Sequence, residues 1–306
     1  MKKLSIAYFG SPDFSARFLE KILTDQSINQ LVNIKLVVTQ PDRPVGRKQM
    51  LTPTPVKSIA LKHDLEVFEI KDFNIKNSFK IKNLKLKIKE LDLVMLYAYA
   101  GIIPEDFLNR PKHGFWCLHP SLLPKYRGTS PMATTLINGD RETGVTIIKM
   151  DEKIDHGPII VQEKYTILPT DKRPDLEKKL TDLGFQLFVQ SINRLDNIKF
   201  QNQDHSKASY TKKLTKQNGF LEFKNFIPPL AGSNSPEKLF NLFRGFYPWP
   251  GIWTLIQPVR LIGGSEKRLK ITDMDLINGK LIIKKVQLEG KKEVDFETFK
   301  KAYKIF

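Results

Sequence analysis

The sequence predicts an α/β protein with a doubly wound, mostly parallel, Rossmann-like sheet and a smaller C-terminal β-barrel of the OB-like kind. Three observations predict it. Strand-like apolar runs alternate with helix-like stretches through roughly the first 200 residues, the pattern of a parallel sheet covered by helices. Past residue 218 the texture changes to short strand-like pieces separated by Gly and Asp/Asn turns, as in a small barrel. At 306 residues the chain is long for one core and sufficient for two. The expected division is a first domain over 1–200, a polar linker over 201–218 and a second domain over 219–306.

Leu4 to Phe9 is an alternating apolar run and reads as the first strand. Ser11 suits a helix N-cap with Pro12 at the first helical position, and Phe14, Phe18, Leu19 and Ile22 then share one face. Ile34–Thr39, Val67–Ile70, Leu91–Tyr97 and Phe115–His119 are the next strands. Thr54-Pro55 opens a helix through Ile59 and Ala60, and Ser130-Pro131 opens one that ends at Asn138-Gly139. Thr143–Lys149 and Pro158–Thr166 flank a turn holding Asp155, and Asp171 to Leu195 reads as a helix. Beyond the linker, Ile252–Ile256, Leu269–Ile271 and Leu281–Val286 are short strands.

The chain carries 50 basic and 33 acidic residues, a net charge of +17, which points to a polyanionic partner. Lys-rich stretches such as Asn77 to Lys89 account for part of it as solvated faces. From Lys207 onward there are 19 basic and 9 acidic residues, so ten of the seventeen net charges fall in the last 100 positions and favour a basic C-terminal module. No apolar run approaches a membrane span, and the N-terminus passes directly into strand-like sequence, so a cytoplasmic protein with no membrane partner is expected. A monomer is expected, because nothing in the sequence demands a second subunit. Cys117 is the single cysteine, which excludes an internal disulfide framework. His63, His113, His119, His156 and His205 form no HExxH or CxxC pattern, so no metal site is expected. Gly10-Ser11-Pro12-Asp13 has one glycine where a dinucleotide loop needs three, and no GxxxxGK[ST] run is present.

Residues 117 to 157 carry the chemistry. His119 leaves a buried strand at its carboxyl end, where doubly wound sheets place their ligands. A proline-bounded loop, Pro120-Ser121-Leu122-Leu123-Pro124-Lys125-Tyr126-Arg127-Gly128, follows it, and Asp155 lies in Lys153-Ile154-Asp155-His156-Gly157. A histidine beside a stiff loop, with a carboxylate able to orient it and favour its protonated form, makes an acid–base site.

The run His119 to Gly128, followed by Thr143-Gly144-Val145-Thr146 and Met150 to Gly157, resembles the 10-formyltetrahydrofolate-dependent formyltransferases. Three further segments resemble the methionyl-tRNA branch of that family. They are Phe9-Gly10-Ser11-Pro12-Asp13-Phe14, the basic loop Thr39 to Lys48 continuing to Lys57, and Tyr210-Thr211-Lys212-Lys213-Leu214 with Arg244 to Gly251. The resemblance implies 10-formyltetrahydrofolate as cosubstrate without a metal, and methionyl initiator tRNA as acceptor. It assigns His119 and Asp155 to catalysis, and Ser121, Leu122, Leu123, Pro124 and Tyr99 to the folate. It assigns Arg43, Arg47 and Lys48 to tRNA phosphates, which Arg and Lys neutralise. Tyr247, Trp249 and Trp253 could stack on bases, with ordinary core the more expected role.

One position departs from the family. An asparagine two residues before the histidine donates its amide to the formyl oxygen in the family, and here the strand reads Cys117-Leu118-His119. A thiol is a weaker donor. Losing one oxyanion donor typically costs about a hundredfold to a thousandfold in rate. Three readings stay open: a slow transferase in which His119 stabilises most of the charge, a thiolate nucleophile at Cys117, or a catalytically silent tRNA- or folate-binding homologue. A formyltransferase acting on a small amine is the remaining alternative.

Overall fold

The computed structural model describes residues 3–46, 48–73, 79–223, 235–256 and 266–303. Along the chain they form β1 (Leu4–Gly10), α1 (Asp13–Thr24), α2 (Gln26–Asn29), β2 (Val32–Thr39), β3 (Arg43–Val45), β4 (Met50–Thr52), α3 (Pro55–Lys62), β5 (Glu66–Glu69), α4 (Phe79–Lys89) and β6 (Leu93–Tyr97). There follow α5 (Glu105–Leu108), β7 (Phe115–His119), β8 (Arg127–Gly128), α6 (Pro131–Ile137), β9 (Glu142–Lys149), β10 (Ile159–Thr166) and α7 (Arg173–Asn193). The remainder is β11 (Tyr210–Thr211), α8 (Pro236–Phe246), β12 (Ile252–Ile256), β13 (Lys267–Ile277), β14 (Lys280–Leu288), β15 (Glu293–Asp295) and α9 (Phe296–Tyr303).

The main sheet has seven strands in the order β10-β9-β7-β6-β1-β2-β5. Its members from β7 to β5 pair in parallel, and β9 runs antiparallel to β7. Parallel strands connected through helices are covered on both faces and therefore read as continuous apolar runs. β1 shows why. Ala7 and Phe9 enter a cluster with Val38, Leu96, Phe115 and Cys117. Tyr8, of opposite parity, stacks on Phe18 of α1, whose ring also meets Tyr97, Phe185 and Phe188. α3 begins as its sequence predicts, with Thr54 accepting a hydrogen bond from the Lys57 amide and Pro55 in the first turn. α1 begins one residue later than predicted. Pro12 is its N-cap and the Ser11 hydroxyl turns to Thr39 Oγ1 at 3.3 Å instead.

The chain divides into two compact units that are discontinuous in sequence, unlike the linear division at 200 and 218. The first comprises Met1–Gly128, Thr143–Thr166 and Glu177–Tyr210. The second comprises Thr129–Glu142, Ile167–Leu176 and Thr211–Phe306. Two packing arrangements within the second unit explain its composition. A Cβ at Gly245 of α8 would meet the Ala133 carbonyl at 2.8 Å and the Ile137 side chain at 2.6 Å, so α6 and α8 touch through a glycine. Arg244 is buried and donates to the carbonyls of Leu168, Pro169 and Asp171, tying 167–176 to α8. The segment 201–210 belongs to the first unit. Gln201 and Ile159 exchange both backbone hydrogen bonds, and Gln203 is buried.

In the second unit an antiparallel sheet runs β12-β13-β14-β15, the smaller C-terminal β structure expected, here accompanied by helices α8 and α9. No pairing of β12 with β15 closes it among the described residues. Its apolar face packs against Leu239, Phe243, Phe246 and Phe299 of α8 and α9. Tyr247 lies partly buried against that cluster, whereas Trp249 is half exposed. Trp253 lies over Phe220 and donates Nε1–H to the Lys216 carbonyl. No helix among the described residues is long and apolar enough to cross a membrane.

Candidate active site

β7 is buried throughout and delivers His119 to the carboxyl edge of the parallel strands. The antiparallel register of β9 places Thr146 directly across from His119 and Ile148 across from Cys117. Thr146 Oγ1 donates to the Ser121 carbonyl and accepts from the Leu123 amide, fixing the loop that follows the histidine. Gln162 adds hydrogen bonds from its amide to the Leu123 carbonyl and to Thr146. Ser121 is fully buried, and its hydroxyl donates to the Lys125 carbonyl at 2.6 Å. Leu122 lies against Gly144, where a Cβ would come within 2.5 Å of its Cδ2. Leu123 is buried, and the Leu123–Pro124 peptide is cis.

This frame holds the imidazole of His119 between two acceptors. Nε2 lies 2.8 Å from the Tyr126 carbonyl, which can only accept, so Nε2 carries a proton. Nδ1 lies 3.5 Å from Asp155 Oδ2, an ion-pair distance somewhat longer than a hydrogen bond. The same carboxylate oxygen accepts the Gly128 amide at 2.7 Å. Asp155 itself has φ +49, the left-handed region that aspartate tolerates better than most residues. Gly157, two residues on, cannot carry a side chain, because a Cβ would lie 1.9 Å from the Lys149 carbonyl oxygen. A cavity of about 280 Å3 opens against the same loop, lined in part by Leu108, Asn109, Met150, Asp151, Lys153 and His156.

Cys117 is buried in the same strand. Its Sγ makes a 3.8 Å approach to the Leu118 carbonyl. Burial, and secondarily the Asp155 carboxylate, push its thiol well above the ordinary range, so a thiolate is disfavoured at neutral pH. Geometry and charge therefore work against the nucleophilic reading of this cysteine.

The other expected site residues are placed as follows. Tyr99 is buried in the core: its ring meets Phe9 and Phe73 edge-on and its hydroxyl donates to the Ile70 carbonyl at 2.5 Å. It supports the wall of the strand exit, and its hydroxyl is already engaged. Arg43 and Lys48 are exposed on the β3–β4 hairpin, and Arg47 lies outside the described residues. The root of that hairpin is fastened by Lys57, which bonds Asp42 and Glu69 at 2.8 Å each. Among the described residues no three His, Cys, Asp or Glu side chains converge as metal ligands would. Gln162, Gln203 and the Gly128 amide carry no local sequence signal, and the tertiary structure joins all three to the loops that follow His119 and hold Asp155.

The family profile described as "Formyl transferase" matches residues 2–192. The methionyl-tRNA formyltransferase of Caldicellulosiruptor saccharolyticus is 34% identical over 99% of this chain and 98% of its own. That of Kosmotoga olearia is 36% identical over 84% of this chain and 78% of its own. Among solved structures, a sugar N-formyltransferase from a Shewanella species superposes with a TM-score of 0.63 at 17% identity, covering 90% of this chain and 99% of that one. A phosphoribosylglycinamide formyltransferase from Bacillus halodurans does so with a TM-score of 0.52 at 24% identity, covering 63% and 95%. The structures share the fold, and the sequence relatives narrow the kinship: this chain belongs to the formyltransferase family and, within it, to the methionyl-tRNA formyltransferases.

Proposed function

We infer that this protein transfers the formyl group of 10-formyltetrahydrofolate to the α-amine of methionyl initiator tRNA. The observation that carries the reading is His119 held between the Tyr126 carbonyl and the Asp155 carboxylate, in a chain that matches the methionyl-tRNA enzymes from end to end. In the reaction the neutral amine attacks the formyl carbon, negative charge develops on the formyl oxygen, the bond to N10 breaks, and the proton lost by the amine ends on N10. That sequence needs a close nucleophile, oxyanion stabilisation and a proton carrier. His119 serves the last two once Nε2–H turns from the Tyr126 carbonyl to the formyl oxygen, while Asp155 at Nδ1 orients the ring and balances its positive charge. The Ser121–Pro124 loop is the folate-facing wall. Arg43 and Lys48 reach the phosphates of the acceptor tRNA from the exposed hairpin, and the resemblance gives Arg47 the same role.

Cys117 is the observation that favours a second reading, a binding homologue without turnover, because its thiol replaces an amide donor. Formyl transfer from 10-formyltetrahydrofolate to methionyl initiator tRNA, measured beside His119→Ala, tests both. Turnover abolished by His119→Ala supports the enzyme. Native protein that binds tRNA with no more transfer than His119→Ala contradicts it.

A further inference from the structure

Asp155 sits in a loop whose internal side-chain bonds, from the Lys153 amide and His156 Nδ1 to the Asp151 carboxylate, leave the Asp155 backbone itself to be fixed from outside. Its backbone is left-handed, and its side chain has to satisfy the Gly128 amide and face His119 at once. Gln203 supplies a restraint on that backbone. Its side-chain amide nitrogen donates to the carbonyl of Asp155 at 2.9 Å and to that of Gly157 at 2.8 Å, using both hydrogens on either side of His156. Its Oε1 accepts from Arg127 Nη2 at 2.6 Å. The reversed amide would set an oxygen against two carbonyls and an NH2 against a guanidinium, so the orientation follows from the network.

Arg127 is itself buried and runs onward. Nη2 also lies 2.8 Å from His205 Nδ1, which must be the accepting nitrogen of a neutral ring because a guanidinium only donates. The His205 ring stacks on His156 at 4.0 Å between centroids and 5° between planes, and His156 Nδ1 meets Asp151 Oδ2 at 2.6 Å. Gln203 thus grips the loop through its backbone at residues 155 and 157, while Arg127 grips Gln203 and follows directly on Tyr126, whose carbonyl holds His119 Nε2. One buried side chain couples both partners of the histidine.

We propose that Gln203 is a positioning residue of the catalytic centre, whose side-chain amide clamps the Asp155–Gly157 loop and so holds the Asp155 carboxylate against both the Gly128 amide and the His119 imidazole. The proposal rests on the reading that Asp155 orients His119. A residue that merely anchored residues 201–210 would need its bond to Arg127. A clamp needs the two N–H donors. Glutamate separates these roles, since it keeps an acceptor for Arg127 and turns a carboxylate oxygen toward the two carbonyls.

The test is a kinetic cycle on the full chain with 10-formyltetrahydrofolate and methionyl initiator tRNA, using Gln203→Met, Gln203→Glu, Asp155→Asn and Gln203→Met with Asp155→Asn. Both Gln203 variants are expected to lower kcat by on the order of tenfold to a hundredfold with KM for the tRNA unchanged, the size of effect a small misplacement produces. Gln203→Met is expected to cause no further loss once Asp155 is asparagine, because the two act through one contact. Hydrogen exchange at the Gly128 amide is expected to quicken in Gln203→Glu, a readout independent of turnover. Native kcat in Gln203→Glu, or losses that multiply in the double variant, would overturn the clamp and leave the role of Asp155 standing. An Asp155→Asn protein with native kcat would overturn both.

Discussion

The thiol of Cys117 stands where the resemblance calls for an amide, two residues before a histidine whose surroundings are complete. Its burial gives a pH signature. The folded protein keeps the Cys117 proton and those of the Tyr8, Tyr97 and Tyr99 phenols beyond their ordinary values of 9.0 and 10.0, chiefly because desolvation disfavours the anions. The unfolded chain releases those protons first, so above about pH 9 it binds fewer protons than the folded state and stability falls as pH rises. Below the ordinary values these groups contribute no pH dependence. Denaturant titrations of native and Cys117→Ser protein from neutral to alkaline pH are expected to show a shallower alkaline loss in the variant. Equal slopes would mean that the thiol is not desolvated. Alkylation at neutral pH is expected to be slow until the protein unfolds, and a fast-reacting Cys117 would revive the nucleophilic reading.

At the scale of elements, the parallel strands and the start of α3 were legible because their signals are local: the apolar run in Leu4–Gly10, the capping pair Thr54-Pro55, the strand Phe115–His119. The β3–β4 hairpin was not, since its residues are exposed and a two-sided solvated ribbon has no apolar period. Nor was α4, whose lysines mask the buried stripe Ile81, Leu84 and Ile88. The loop after β9 illustrates a third kind of limit. Asp155 was readable as a carboxylate near a histidine, but the need for glycine at 157 arises from the Lys149 carbonyl, a contact that only the folded loop creates. Gly157→Ala is expected to cost about 2 kcal/mol, in the range typical of overpacking, and to lower kcat by displacing Asp155. Unchanged melting and turnover would show that the loop gives way freely. Thr54→Ala, which removes the α3 cap, is expected to cost about 1 kcal/mol with kcat unaltered.

On the scale of the whole molecule, the two units were visible as a change of texture, while their discontinuous make-up was not. Arg244 shows the reason. In sequence it is one more cation of a basic C-terminal module, yet in the structure it is buried and spends its guanidinium on the carbonyls of 168, 169 and 171 and on Asn241. Net charge therefore overstates the surface available to a polyanion, and the exposed cations of the hairpin carry more weight. Arg43→Ala and Lys48→Ala are each expected to weaken tRNA binding and to reduce its log-affinity against log-salt slope by about one phosphate contact. An unchanged slope would place the hairpin away from the tRNA. The central claim is that this site still transfers formyl groups with a thiol at 117, and the most direct test compares native, Cys117→Asn and His119→Ala proteins. The assay is formyl transfer from 10-formyltetrahydrofolate to methionyl initiator tRNA. Measurable native transfer, raised about tenfold or more in Cys117→Asn and lost in His119→Ala, is the expected result for a weakened oxyanion site. Native protein no more active than His119→Ala, with transfer appearing in Cys117→Asn, would contradict it and leave a scaffold that binds without turning over.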